Sequence, residues 1–332
     1  VAVDVCKGRY KMVKLVANAG FGAVGARRDR SRANRVARLL TTTALVGVGL
    51  SLSGTAKAQS SVNPAGGGNV SATDGMVTGG GAGQGVQASG SSGSVTVNNV
   101  TITQVVPTPT SNALDVNGPD VIFTGTNSLT TTNSGGAAFN FTTNVNRGIN
   151  LTGSDNSFTG SYGMRISAPS GFINVDSSRR TQTLTGNGTA VSGFDISSFI
   201  NPELRFGTSI VNGFSTGVRM TQSANGGFVY FNSTGGSITA TGIGINADNA
   251  VGSATIESQT AIVAPNGIRA TVGTGATITT SGGGTINSNA VGTGTGIFST
   301  SSGSGNVNVA VGAAIGGSTR GATGVNASTT GT

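Results

Sequence analysis

Histidine and tryptophan are absent from this 332-residue chain, cysteine occurs once, and 9% of the residues are charged. Without histidine there is no Ser-His-Asp triad, no Cys-His pair and no imidazole-based zinc site. The lone thiol, Cys6, excludes an intramolecular disulfide framework. Proline numbers only 7 and the glycines keep no three-residue period, so a collagen helix is excluded too. Lysine does not occur after Lys57. What abounds is glycine, with 57 residues, more than twice the ordinary share of about 7%.

The net charge of +8 is concentrated in one place. Residues 1–58 hold eleven Lys and Arg against Asp4 and Asp29, while the rest holds eight Arg and nine acids. A nucleic-acid footprint needs basic groups gathered on the folded surface. Here they sit ahead of the folding part, so no nucleic-acid partner is expected.

The basic segment ends at Arg38. Leu39–Leu52 follows with fourteen uncharged residues, and Ala56-Lys57-Ala58 closes the stretch. That order is the order of a secretory signal: a positive region, a short apolar region, then a small-x-small site. Cleavage is expected between Ala58 and Gln59, with Ala56 and Ala58 filling the shallow pockets of the peptidase. Fourteen residues fall short of the roughly 20 that span a bilayer as a helix, so membrane contact is expected only through the leader during export. No cysteine follows the apolar run, which excludes lipoprotein attachment.

Beyond the leader the chain repeats. A unit of small residue, aliphatic or Phe, variable residue, then apolar or small residue recurs at intervals of 25–29 residues. It runs through Gly85-Val86, Ala113-Leu114, Ala138-Phe139, Gly163-Met164, Ala190-Val191, Gly217-Val218, Gly242-Ile243 (where a shift by two also fits), Gly267-Ile268, Gly296-Ile297 and Gly324-Val325. Each interval carries two further alternations, such as Phe172-Ile173-Asn174-Val175 and Thr183-Leu184-Thr185. Period-two runs bounded by Gly, Ser, Asn and Thr read as short strands. Three short strands per repeat describe an all-β fold, a parallel β-helix solenoid of about ten coils stacked at about 4.8 Å. A right-handed coil is expected from the handedness of parallel crossovers. The domains expected are 1–58 as leader, 59–94 as Gly/Ser-rich linker and poorly packed first coil, and 95–332 as β-helix repeats.

Candidate chemistry rests on nine acids: Asp74, Asp115, Asp120, Asp155, Asp176, Asp195, Glu203, Asp248 and Glu257. A glycosidase needs two carboxylates about 5–9.5 Å apart. Asp115 and Asp120 span a turn, as do Asp195 and Glu203, and Asp176 shares one loop with Arg179 and Arg180. No catalytic, cofactor-binding or metal-binding residue is expected, and no cofactor. Glycine runs such as 81–85 and 292–296 lack the strand-to-helix context and the lysine of a phosphate loop. Thr-rich strands raise ice binding, yet a Thr-x-Thr ladder is not kept from coil to coil in the repeat as read.

The basic leader, the Ala56-Lys57-Ala58 site and the cysteine-free chain of Gly-aliphatic-x-Ala units together resemble the passenger region of Gram-negative autotransporters, the type V secretion family. The resemblance implies export across the inner membrane, passage through an outer-membrane barrel translocator, and folding at the cell surface. It implies a structural rod or adhesin without catalysis, facing a host-surface or glycan ligand. The family's C-terminal barrel of alternating strands is missing before Thr332. The barrel is therefore expected either in cis beyond this sequence or in trans. The second case resembles two-partner secretion of the filamentous-haemagglutinin kind, to which Pro265-Asn266-Gly267-Ile268 bears a short likeness. The alternative from another class is a β-helix polysaccharide hydrolase or lyase. An enzyme should place at least two acids on neighbouring coils of one face.

Overall fold

The computed structural model describes residues 94–104, 112–188, 190–223, 227–288, 294–317 and 323–331, together with strands Ser60–Val62, Val70–Thr73, Met76–Gly79 and Val86–Ser89. All belong to one unit, Ala56–Thr332. The expected leader, its cleavage residues Ala56, Ala58 and Gln59, Asp74 and glycine run 81–85 lie outside the described residues.

No helix occurs among the described residues, and every strand pairing is parallel. The chain winds as a parallel β-solenoid whose turns each pass through three faces, here A, B and C. In one turn these are 114–117, 120–124 and 128–131, and the next turn adds 137–142, 147–150 and 156–160 beneath them. Eight full turns run from Leu114 to Gly317, slightly fewer than the ten counted from the repeats. The difference lies at the ends. Strands from Ser60 to Gln104 and Thr323–Thr329 extend the same ladders, but their turns are not described in full.

Alternation along each strand sends every second side chain inward. Face A contributes a column of Leu114, Phe139, Met164, Phe194, Val218, Ile245, Ile268 and Ile297, each buried and each in register with the next. Two units shift from the positions expected. The partner of Met164 is Phe194, so the unit is Gly193-Phe194-Asp195-Ile196 and not Ala190-Val191. The partner of Val218 is Ile245, so Ile243 pairs instead with Thr216 and Asn266 and is only half-buried. Both errors have one cause. Neighbouring dipeptides carry the same small-apolar pattern, and only stacking decides between them.

The strands are also longer than the short runs expected. Tyr162–Ser177 and Ser192–Phe206 pass from face A to face B without a break, and Ile210–Gln222 and Ser237–Asn249 pass from C to A. At these four corners the strand bends without breaking, with register shifts marking the bends.

The glycine of the repeat has a packing role. At Gly163, Gly193, Gly217, Gly244, Gly267 and Gly296 a Cβ would stand 2.5–2.7 Å from the carbonyl oxygen of the equivalent glycine one turn on. It would also meet the face C aliphatic side chain of its own turn: Leu184, Val211, Ile238, Ile262, Ile286 or Ile315. None of the six has a positive φ. The repeat therefore keeps glycine for close approach of face C to face A, a recognised use of strand glycine.

Inside two corners, amides form their own ladders. Asn127 Nδ2 donates to Asn156 Oδ1 at 2.7 Å, and Asn156 Nδ2 to Gln182 Oε1 at 2.6 Å. Gln182 Nε2 then donates to the Ser154 carbonyl at 2.9 Å. At another corner Asn249 Nδ2 donates to Gln222 Oε1 at 2.9 Å. Buried amides are tolerable because the neighbouring turn supplies their partners.

Candidate functional site: the outer faces

What the three faces show to solvent differs, and the repeat sorts it. Outward residues on the strands of face C are uncharged. Thr101 and Thr103, Ser128 and Thr130, Ser157 and Thr159, and Thr183 and Thr185 stack in register over four turns. The hydroxyl ladder, expected to be broken, is thus kept across these turns. It is interrupted at the next by Ile210 and Asn212.

Face A carries one row rich in charge, Asp115, Asn140, Arg165, Asp195, Arg219, Asn246 and Arg269, and in the row beside it Asp248 stands exposed between Thr221 and Thr271. Asn140 Nδ2 donates to Asp115 Oδ1 at 2.8 Å. Arg165 stacks over the Tyr162 ring at 5.1 Å, and Arg219 Nε stands 3.9 Å from Asp195 Oδ1. Burial raises the Asp195 carboxyl above its ordinary range, and Arg219 and Arg165 oppose that shift by their positive charge. The row largely satisfies itself.

Face B is the richest surface. Its outward rows bring together Asp120, Asp176, Glu203 and Glu257 with Arg205, Tyr230, Asn150, Asn174 and Asn232. Asp176 lies on strand Tyr162–Ser177, in register with Arg205, and not in the loop with Arg179 and Arg180. Arg205 Nε donates to Glu203 Oε1 at 2.8 Å, and that hydrogen bond raises the guanidinium's affinity for its proton. Tyr230 donates its hydroxyl to Glu257 Oε2 at 3.0 Å, and Asn232 Nδ2 reaches the same oxygen at 2.8 Å. Burial, then this bond, hold the Tyr230 phenol protonated to higher pH than usual. Phe172 and Phe228 flank these rows at the corner with face A, Phe228 being 40% exposed.

The acids separate as the sequence predicts in two cases. Asp115 and Asp195 face outward on A, while Asp120 and Glu203 face outward on B. The structure also joins what the sequence keeps apart: Asp176 and Glu203 are diagonal neighbours on adjacent turns of face B. Both are already engaged, Asp176 by the backbone and hydroxyl of Ser178, Glu203 by Arg205 and Asn174. Among the described residues no three acids gather to hold a metal ion.

This face holds a shallow depression of about 450 Å³ bordered by Asp120, Ile122, Asn150, Asn174 and Asp176 around Gly148. Nothing in the sequence marks it, because its members come from three different turns. No family model matches the chain, and no curated protein and no solved structure matches it either.

Proposed function

We propose that the chain is an exported cell-surface passenger, a structural or adhesive β-solenoid that presents face B to a glycan or host-surface ligand. The observation that carries it is the combination of a parallel solenoid with a preceding segment ordered as a secretory signal. A cysteine-free solenoid suits threading through an outer-membrane barrel, since no disulfide can lock it in the periplasm. Its translocator is a barrel in cis or in trans. Stacked turns support one another only through neighbours, so such a fold can form progressively as it emerges. Face B supports adhesion because exposed aromatics beside planar carboxylates and amides suit the apolar and hydroxylated sides of a sugar.

The test is fractionation of Gram-negative cells expressing the full chain, with protease shaving of intact cells and N-terminal sequencing. A surface-exposed protein beginning at Gln59 is expected. Cytosolic protein that retains Leu39–Leu52 would overturn the proposal.

A polysaccharide-acting enzyme is the second reading, favoured by the adjacency of Asp176 and Glu203. It is the weaker one, because Glu203 is already engaged through both oxygens, Oε1 by Arg205 and Oε2 by Asn174, so neither is left open to a substrate.

A further inference from the structure

Gly148 is a glycine that the fold does not require. It sits inside strand Arg147–Gly160, its φ lies outside the left-handed region, and a Cβ there would meet no atom within 4 Å. Contrast Gly163, Gly193 and Gly217, where a Cβ would strike the next turn. Glycine weakens a strand interior, and one not demanded by geometry often marks the approach of a ligand. Here it opens a gap in an outward row whose neighbours, Asp120 on one turn and Asn174 on the next, both carry polar side chains.

The side chains around the gap are held by one atom each. Asp120 Oδ1 accepts the Gly148 N–H at 2.8 Å. Asn150 Oδ1 accepts the Thr152 N–H at 2.9 Å and its hydroxyl at 2.8 Å. Asp176 Oδ1 accepts from Ser178 N at 3.0 Å and from its Oγ at 2.7 Å. Asn174 Nδ2 donates to Glu203 Oε2 at 3.4 Å. Among the described residues the other polar atom of each has no partner: Oδ2 of Asp120, Oδ2 of Asp176, Oδ1 of Asn174 and Nδ2 of Asn150. Three acceptors, two of them carboxylate oxygens, thus stand with one donor around a cavity beside Ile122, itself 36% exposed.

Resting on the surface-adhesin reading, we infer that the Gly148 depression is a subsite for an amino sugar unit of a glycan. An ammonium and adjacent hydroxyls supply the donors that this acceptor-rich, doubly negative set lacks, and charge-assisted bonds are the stronger ones. Ile122 offers apolar contact to the ring. An N-acetylated unit loses the charge, and a uronic acid meets two like charges.

The probes are hexamers of glucosamine, N-acetylglucosamine and galacturonic acid, titrated calorimetrically into the full chain. Glucosamine hexamer is expected to bind, N-acetylglucosamine hexamer at least tenfold more weakly, and galacturonate hexamer not at all. Gly148→Gln should fill the depression and lower glucosamine affinity at least tenfold while the thermal midpoint and circular dichroism stay unchanged. Should that variant fold poorly, Asp120→Asn supplies the second arm, narrowing the preference for the amine over the acetylated hexamer. Glucosamine binding untouched by Gly148→Gln in a folded variant, or by Asp120→Asn, would overturn the subsite and leave the adhesin reading standing. Failure of all three hexamers to bind, or preference for galacturonate, would overturn it as well. Surface display and cleavage, measured separately, decide the broader reading.

Discussion

Turns from Leu114 to Ser233 and turns from Ser237 to Gly317 share the same three ladders but fill them with different side chains. The first group buries eight phenylalanines: Phe123, Phe139, Phe141, Phe158, Phe194, Phe206, Phe214 and Phe231. Their rings meet edge to face, Phe123 with Phe139 at 5.3 Å and with Phe158 at 5.8 Å, and Phe194 with Phe206 at 5.8 Å. The second group buries none, and its one phenylalanine, Phe298, stands in the outward row after Arg269. There the core is isoleucine and alanine, with Val272. The second inward position of face A runs Val116, Phe141, Ile166, Ile196, Met220, Ala247, Ala270 and Ser299, medium to large as far as Met220 and small after it. A solenoid allows such drift because each turn must match only the turns beside it. A globular core, packed in all directions at once, does not have this freedom.

The difference predicts unequal robustness, and the harshest test falls in the aliphatic turns. Ile268 is fully buried between Ile245 and Ile297, whereas its neighbour Arg269 is exposed. Ile268→Asp would place an unpaired carboxylate in the core and should destabilise its turns by more than the about 2–5 kcal/mol of an Ile→Ala change. Limited proteolysis with mass mapping should show cuts spreading through 243–317 while the phenylalanine-filled turns stay protected. Arg269→Ser should leave the pattern unchanged. Equal damage from the two variants, or cuts appearing first before residue 233, would break the comparison.

A moderate effect is expected at the junction of the two groups. Gly244→Ala drives a Cβ into Ile262 and the Gly267 carbonyl, and overpacking of this kind costs about 1–3 kcal/mol. Hydrogen exchange should lose protection most at 243–249 and 261–264. An unchanged exchange pattern would show that the glycine row tolerates side chains and that close approach is not why glycine recurs.

The smallest effect concerns charge in the phenylalanine-filled turns. Burial raises the Asp195 carboxyl, so the folded chain holds that proton more tightly than the unfolded chain does. Its contribution is fully present below the unfolded value of about 3.9 and is lost as pH rises through the higher folded value. Asp195→Asn should therefore raise the denaturation midpoint at pH 7 relative to the parent and lose that advantage near pH 3. A drop at pH 7 would mean that attraction to Arg165 and Arg219 outweighs the burial cost.

Legibility in the sequence followed the physics of stacking. The alternation at Thr183-Leu184-Thr185 or Phe228-Val229-Tyr230-Phe231 sets which side chains face inward, because a strand has a period of two whatever its surroundings. Register is another matter. Between Met164 and its partner Phe194, and between Val218 and its partner Ile245, several apolar dipeptides compete, and turns of varying length leave the choice to packing. The four-turn hydroxyl ladder on face C and the gathering of acids on face B were hidden for the same reason. A spacing error of two or three residues moves a side chain to another row.

By itself the sequence determined the class of fold: glycine and β-branched alternation in repeats, without helix periodicity, can bury their apolar side chains only by stacking turn on turn. It also determined which chemistry is missing, since residue types that are absent cannot be supplied by folding. The tertiary structure alone decided which outward residues share a face and why the repeat keeps its glycine. It alone decided that Gly148 stands over open space while Gly163 stands against the next turn. Those are relations between turns some 25 residues apart, fixed by close packing and backbone pairing along the axis, and no local pattern in the chain encodes them.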